Sequence, residues 1–186
     1  MALLTARTRQ PRGQQQTTRG GARRLIRTAF HAGLGALLAL YIGFFAAKCI
    51  ADIRFPYTLD YGEGLVLSQA VRLAHGQGLY NDYTHYPFVF SNYPPVFVTL
   101  AAIGVKQFGV GFAFGRAIAF IAMLGVAVVM ALLLRRCGTS LAPALAAPAF
   151  LLSTYWVTLW AGFMRVDTLA LLLSMAGLYC VLRRGK

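Results

Sequence analysis

Two stretches of this chain, residues 29–51 and 112–134, run for 23 residues each as overwhelmingly apolar sequence. A bilayer's hydrocarbon core is about 30 Å thick and takes roughly 20 helical residues to cross. Segments this long have few homes other than a membrane. Composition agrees: 58% of residues are apolar and 12% charged, against about 45–50% and about 25% in a soluble domain. Three further apolar segments follow the same logic. One opens at Pro94-Pro95, where a helix tolerates proline in its first turn; one runs from Leu141 to Met164; one runs from Thr168 to Leu182. The last, at 15 residues, is only about 22 Å long as a helix. To span, it must begin earlier, drawing Arg165 and Asp167 to the bilayer edge. The expected fold class is all-α: a polytopic helical membrane protein with four or five membrane segments.

Charge placement gives the expected topology. The net charge is +13, and seven of the eighteen basic residues are arginines within the first 27 positions, where no acid occurs. Such a tail marks a cytoplasmic side and binds anionic lipid; it argues against a nucleic-acid partner. Residues 1–28, rich in Gln, Thr, Gly and Arg, are expected to be a disordered cytoplasmic tail, and 29–186 a membrane module. The 29–51 run is longer than a signal-peptide core and lacks a small-residue cleavage site, so it is expected to be retained. If all five segments cross, basic residues divide ten inside and eight outside; if the short segment after Pro94 does not cross, twelve and six. The second arrangement fits the positive-inside tendency better and puts Asp167 outside with the first loop. Cys49, Cys137 and Cys180 show neither disulfide nor zinc spacing.

The chain has only five acids, and Asp60 and Glu63 sit three apart in "TLDYGEG". From Glu63 the pattern turns helical. Val66, Leu67, Ala70, Val71, Leu73 and Ala74 share one face and Ser68, Arg72 and His75 the other, with Gly76 as the stop. Such a short amphipathic helix suits the plane of a membrane interface. Glu63 falls in the middle of its apolar face. Either it serves the helix dipole at the first turn, or it points inward to a polar cavity. Tyr80, Tyr83, Tyr86, Tyr93, Phe88 and Phe90 crowd the rest of the loop, a composition suited to the headgroup zone or to the face of a sugar. His75 and His85 have no metal-ligand spacing with the acids. Further on, "FMRVDTLALLL" sets Arg165 two residues before Asp167 at the mouth of an apolar helix, and ionisable residues at such depth tend to be functional.

The ordered set is a basic tail, a first membrane helix, an acidic loop, an amphipathic helix ending in Gly-x-Gly-x-Tyr, "YPP" opening the next helix, "FGVGFAFGRA", and "RVDTLALLL". Over residues 29–182 it resembles the GT-C class of integral membrane glycosyltransferases, nearest the protein O-mannosyltransferase and lipid A aminoarabinose-transferase type. The resemblance implies inverting transfer of a sugar from a polyprenyl-phosphate donor to a hydroxyl of a lipid, glycan or protein acceptor, on the outer face of the cell (inner) membrane. The N-terminus of this multi-pass protein would be cytoplasmic. It implies catalytic acids at Asp60, Glu63 and Asp167, with Glu63 also the candidate ligand of a divalent cation (Mg or Mn). Many relatives carry adjacent Asp-Glu in the first loop. Here Gly62-Glu63 falls at that place, with Asp60 upstream, so which acid is the base stays open. Relatives usually have several hundred further residues, so an N-terminal part of a longer enzyme is expected.

The chemistry asks for the same groups. A hydroxyl must lose its proton as it attacks the anomeric carbon, and a partly buried carboxylate is a better base than a solvated one. The leaving phosphate gathers charge and needs a cation; Arg54, Arg72 and Arg165 are the candidates, with Tyr93 beside the donor. Two rivals compete with this enzyme: a transporter or flippase piece, which would also hold charges on broken helices, and a non-catalytic membrane subunit.

Overall fold

A computed structural model of the chain describes residues 12–80, 84, 86, 88, 91 and 93–184. It is all-helical, with 78% of the chain in helix and no strand among the described residues. The helices are α1 Arg12–Arg54, α2 Tyr61–Ala74, α3 Pro95–Phe108, α4 Ala113–Arg136, α5 Leu141–Leu152, α6 Tyr155–Trp160 and α7 Asp167–Arg184. The chain divides into two compact units, Met1–Ala39 and Leu40–Lys186. In the first, the N-terminal part of α1 leaves Leu25, Ile26 and Phe30 exposed. The second contains every other helix. Among the described residues two helices are long and apolar enough to cross a membrane, Arg23–Arg54 within α1 and Ala113–Arg136.

Local chemistry explains where the helices stop. At the end of α2, Gly76 N–H donates to Leu73 O and Gln77 N–H to Arg72 O, with Gly76 at φ 79°. This paired closure needs a residue at ease in the left-handed region. The end of α4 repeats it around Gly138, whose N–H donates to Arg135 O while Thr139 N–H donates to Leu134 O. At its start, α3 is entered through Pro94, with Pro95 as its first residue.

Packing in the second unit runs through two clusters. Val66 and Ala70 of α2 meet Phe97, Val98, Ala101 and Val105 of α3, with Ala119, Met164 and Val166 alongside. Phe45 and Cys49 of α1 meet Met123 and Val126 of α4, with Leu152 and Ala161. Helices α4 and α7 lie side by side in the same direction. Gly115, near the start of α4, has Met164 against its Cα; Gly125 has Leu172; Arg136, at its end, donates to Leu182 O. The glycines allow this closeness, because a Cβ at Gly115 would collide with the Met164 side chain.

Several expectations change. Helix α1 starts at Arg12, inside the stretch read from composition as a disordered tail. Asp82, Tyr83, His85 and Phe90 lie outside the described residues. The segment from Leu141 to Met164 is not one helix but α5, a break at Ser153-Thr154, α6, and irregular chain to Val166. Pro148 has no N–H to give back along α5. Ser153 and Thr154 then donate their hydroxyls to Ala149 O and Phe150 O, competing with the backbone ladder. The apolar face of α2 has the composition expected, but α3 covers it: Val66 is 2% exposed and Ala70 fully buried.

Candidate functional site

The two acids of "TLDYGEG" do different work. Asp60 is the N-cap of α2, its Oδ2 accepting from Gly62 N–H at 3.0 Å. Glu63 then stands at the third helical position, the spacing of a capping box. It does not reach back to the N-cap N–H as that motif would have it. One of its oxygens accepts from Leu59 N–H at 2.7 Å, and the side chain otherwise turns into the interior, where it is fully buried.

What it meets there is Arg116, also fully buried, one turn into α4. Glu63 Oε1 accepts from Arg116 Nε at 2.8 Å and from Met164 N–H at 2.7 Å. Oε2 accepts from Arg116 Nη2 and Leu59 N–H, both at 2.7 Å. Arg116 spends its remaining donors on carbonyls where α1 unwinds: Asp52 O and Phe55 O at 2.6 Å and Tyr57 O at 2.7 Å. A guanidinium has five N–H donors, and all five are used. Helix C-termini leave carbonyls without intrahelical partners and favour a cation, so a residue of α4 caps α1. The Phe112 ring lies under the guanidinium, 4.9 Å from it.

This pair ties four parts of the chain at one end of α4: the end of α1, the start of α2, α4 itself and the loop before α7. Burial pushes the Glu63 carboxyl up, but the Arg116 side chain and the N–H groups of Met164 and Leu59 outweigh it and hold the group below its ordinary 4.5. With four donors on two oxygens and that depressed pKa, Glu63 offers neither a lone pair for a cation nor a good proton acceptor. Among the described residues no group of three or more His, Cys, Asp or Glu side chains is placed to hold a metal. The donor set does not fit a divalent cation at Glu63.

Beside the pair, on its exposed flank, Arg165 joins the other two predicted acids. Its Nη1 donates to Asp60 Oδ2 at 3.0 Å and its Nε to Asp167 Oδ2 at 2.9 Å. The guanidinium rests 4.8 Å from the Trp160 ring. Desolvation alone would lower the Arg165 pKa; Asp167 and Asp60 raise it above the ordinary value. Asp60 and Asp167, 107 positions apart in sequence, thus share one cation. The Asp167 side chain is 65% exposed and that of Asp60 11%. Asp60 Oδ1 has no hydrogen-bond partner among the described residues.

Other predicted residues stand apart. Arg54 is the exposed last residue of α1. Arg72 bonds Gln77 at the far end of α2, about 18 Å along the helix from Asp60. Tyr93 packs against the α2–α3 cluster and accepts the Tyr80 hydroxyl on its carbonyl. Sequence reasoning missed Arg116 and Lys48. Lys48 Nζ pairs with Asp52 at 2.5 Å and donates to Leu159 O at 3.0 Å, holding the end of α6 against α1. The available signal was a single basic residue inside each long apolar run, which at membrane depth calls for a partner.

Comparison with family models, with curated proteins and with solved structures gives no match to this chain.

Two outcomes test the buried pair. Removing one member of a buried ion pair strands the other charge at a cost of about 3–5 kcal/mol. Arg116→Met and Glu63→Leu are each expected to destabilise the protein by that amount in detergent. The double variant should cost less than their sum by about 1–3 kcal/mol; strict additivity would mean that the two do not depend on each other. The second outcome concerns acid. A carboxyl whose folded pKa lies below its unfolded value stabilises the fold above the unfolded value, and that contribution is lost as pH falls through the folded one. Unfolding free energy is therefore expected to fall with pH below the ordinary 4.5 of Glu63, and Glu63→Gln to flatten that slope. An equal slope in the variant would assign the acid sensitivity elsewhere.

Proposed function

We propose that this chain is the membrane module of a glycosyltransferase that passes a sugar from a polyprenyl-phosphate donor to a hydroxyl acceptor at the outer face of the cell membrane. The observation that carries it is the Asp60–Arg165–Asp167 group: a part-buried carboxylate with an open oxygen, beside a cation, at one end of a long apolar helix. Arg116 and Arg135 stand nineteen residues apart on α4, about 28 Å along its axis. That separation matches a hydrocarbon core. It supports α4 as a span, with the acid-bearing end at one headgroup level and Arg135-Arg136 at the other. The positive-inside tendency then favours Arg135-Arg136 in the cytoplasm and Asp60 outside. At 14 residues, α3 is too short to span, which suits the arrangement in which it does not cross.

In this setting Asp60 is the general base. Gly62 N–H and Arg165 hold its Oδ2, so Oδ1 faces the acceptor hydroxyl and takes its proton as oxygen attacks the anomeric carbon. The carbon–phosphate-oxygen bond breaks on the opposite side, which inverts the configuration. Arg165 is the cation beside the charge that gathers on the leaving phosphate, where preorganised donors are worth most. Asp167, the more exposed acid, is placed to hold sugar or acceptor hydroxyls. Glu63 does not act on substrate; it fixes the start of α2 and with it Asp60. No step is routed through a metal.

The interrupted α5–α6 segment favours the rival transporter reading, since broken helices mark substrate paths. The two separate on one measurement. In membranes carrying the native protein, Asp60→Asn is expected to lower sugar transfer from a polyprenyl-phosphate donor by about 10²–10⁴-fold, the usual contribution of a general base, with donor binding retained. Transfer at the unaltered rate in Asp60→Asn would reject Asp60 as base; movement of the donor across the bilayer without any transfer would favour the transporter.

A further inference from the structure

The far end of α4 carries a feature that sugar transfer does not use. Between α1, α4 and α5 lies an apolar cleft of about 410 Å³, within the range of roughly 300–1,000 Å³ typical of small-molecule sites. Ile42 lines it from α1, Val128 and Leu132 from α4, Leu145 and Pro148 from α5. Among the described residues the one charged side chain on its wall is Arg135. We infer that this cleft holds one acyl chain of an anionic phospholipid whose phosphate sits on Arg135, in the leaflet opposite the acid-bearing end. The inference rests on α4 spanning a bilayer and is independent of the glycosyl-transfer chemistry.

Three observations favour such a lipid over other occupants. First, the cleft is open along its length to the surroundings: Val128 is 59% exposed and Leu145 55%. In a bilayer, acyl chains reach such positions directly. Second, the cleft ends at a charge. Arg135 is exposed and, among the described residues, spends one of its five donors, on Thr139 O at 2.8 Å, so the fork keeps donors for a phosphate, the bidentate geometry at which arginine excels. Its neighbour Arg136 is engaged with Leu182 O and the Tyr179 ring, which leaves Arg135 as the anchor. Third, the chain carries a net charge of +13. Such a charge repels a second copy and draws anionic lipid.

The test uses the full chain purified in detergent and titrated with dioleoyl phosphatidylglycerol or dioleoyl phosphatidylcholine, with retained lipid read by native mass spectrometry. The unaltered protein should retain phosphatidylglycerol in preference to phosphatidylcholine by about fivefold, the scale expected of one basic residue at a headgroup. Arg135→Gln should abolish the preference while a weak, headgroup-blind retention persists. Val128→Trp, which fills the cleft from an exposed position, should lower retention of both lipids with helix content unchanged by circular dichroism. Should that variant unfold, Leu145→Trp fills the cleft from the facing wall. Equal retention of the two lipids, or retention undisturbed by a filled cleft, would overturn the inference. So would a dimer that Val128→Trp dissociates, which would give the cleft to a second copy.

Discussion

A buried arginine and a buried glutamate hold this structure together. Charges removed from water cost several kcal/mol each, and the cost is offset only when geometry is good and every remaining donor and acceptor is satisfied. Arg116 and Glu63 meet that condition completely: two hydrogen bonds to each other, three carbonyls on the arginine, two backbone N–H groups on the carboxylate. The satisfied groups come from α1, α2, α4 and the chain before α7. An apolar pair of equal volume would pack as well but would leave the α1 carbonyls without partners. Four segments are thereby fixed at one place by hydrogen-bond direction, which apolar contact alone does not supply.

The second charge group depends on the first. Met164 N–H donates to Glu63, and Arg165 is the next residue. The bond that seats the loop therefore also aims Arg165 at Asp60, whose helix is in turn set by Glu63. One continuous set of bonds thus runs from a wholly dry pair to a half-wet triad. The dry pair has no capacity left for chemistry. The triad has a carboxylate oxygen without a partner among the described residues, a cation and an exposed acid. The buried pair thereby fixes where Asp60 and Arg165 stand at the edge of the interior.

Much of this was legible in the sequence. Period and composition mark α2, α4 and α7, and Gly76 marks the end of α2 through backbone conformation alone. Glu63 in the middle of an apolar face allowed two readings, a partner of the helix dipole or an inward carboxylate, and the side chain turns inward. A basic residue inside an apolar run marked Arg116 as needing a partner, but which partner was not legible, because Glu63 is 53 residues away. The same holds for Arg165, which pairs locally with Asp167 but reaches Asp60 only through the fold. The break between α5 and α6 was hidden by uniform hydropathy; it comes from Pro148 and from Ser153 and Thr154 bonding back to their own helix. The amphipathic pattern of α2 suited the plane of a membrane interface, but α3 covers its apolar face.

On the proposed topology α4 is a strut whose locked end and arginine end lie on opposite faces of a membrane. Tyr61, 90% exposed beside Asp60, and the exposed Cys137 at the other end of α4 mark those faces. In whole cells carrying Tyr61→Cys, a membrane-impermeant maleimide is expected to label position 61 from outside and to reach Cys137 only after the cells are opened. Labelling of both thiols from the same side, or of position 61 from the cytoplasm alone, would contradict it.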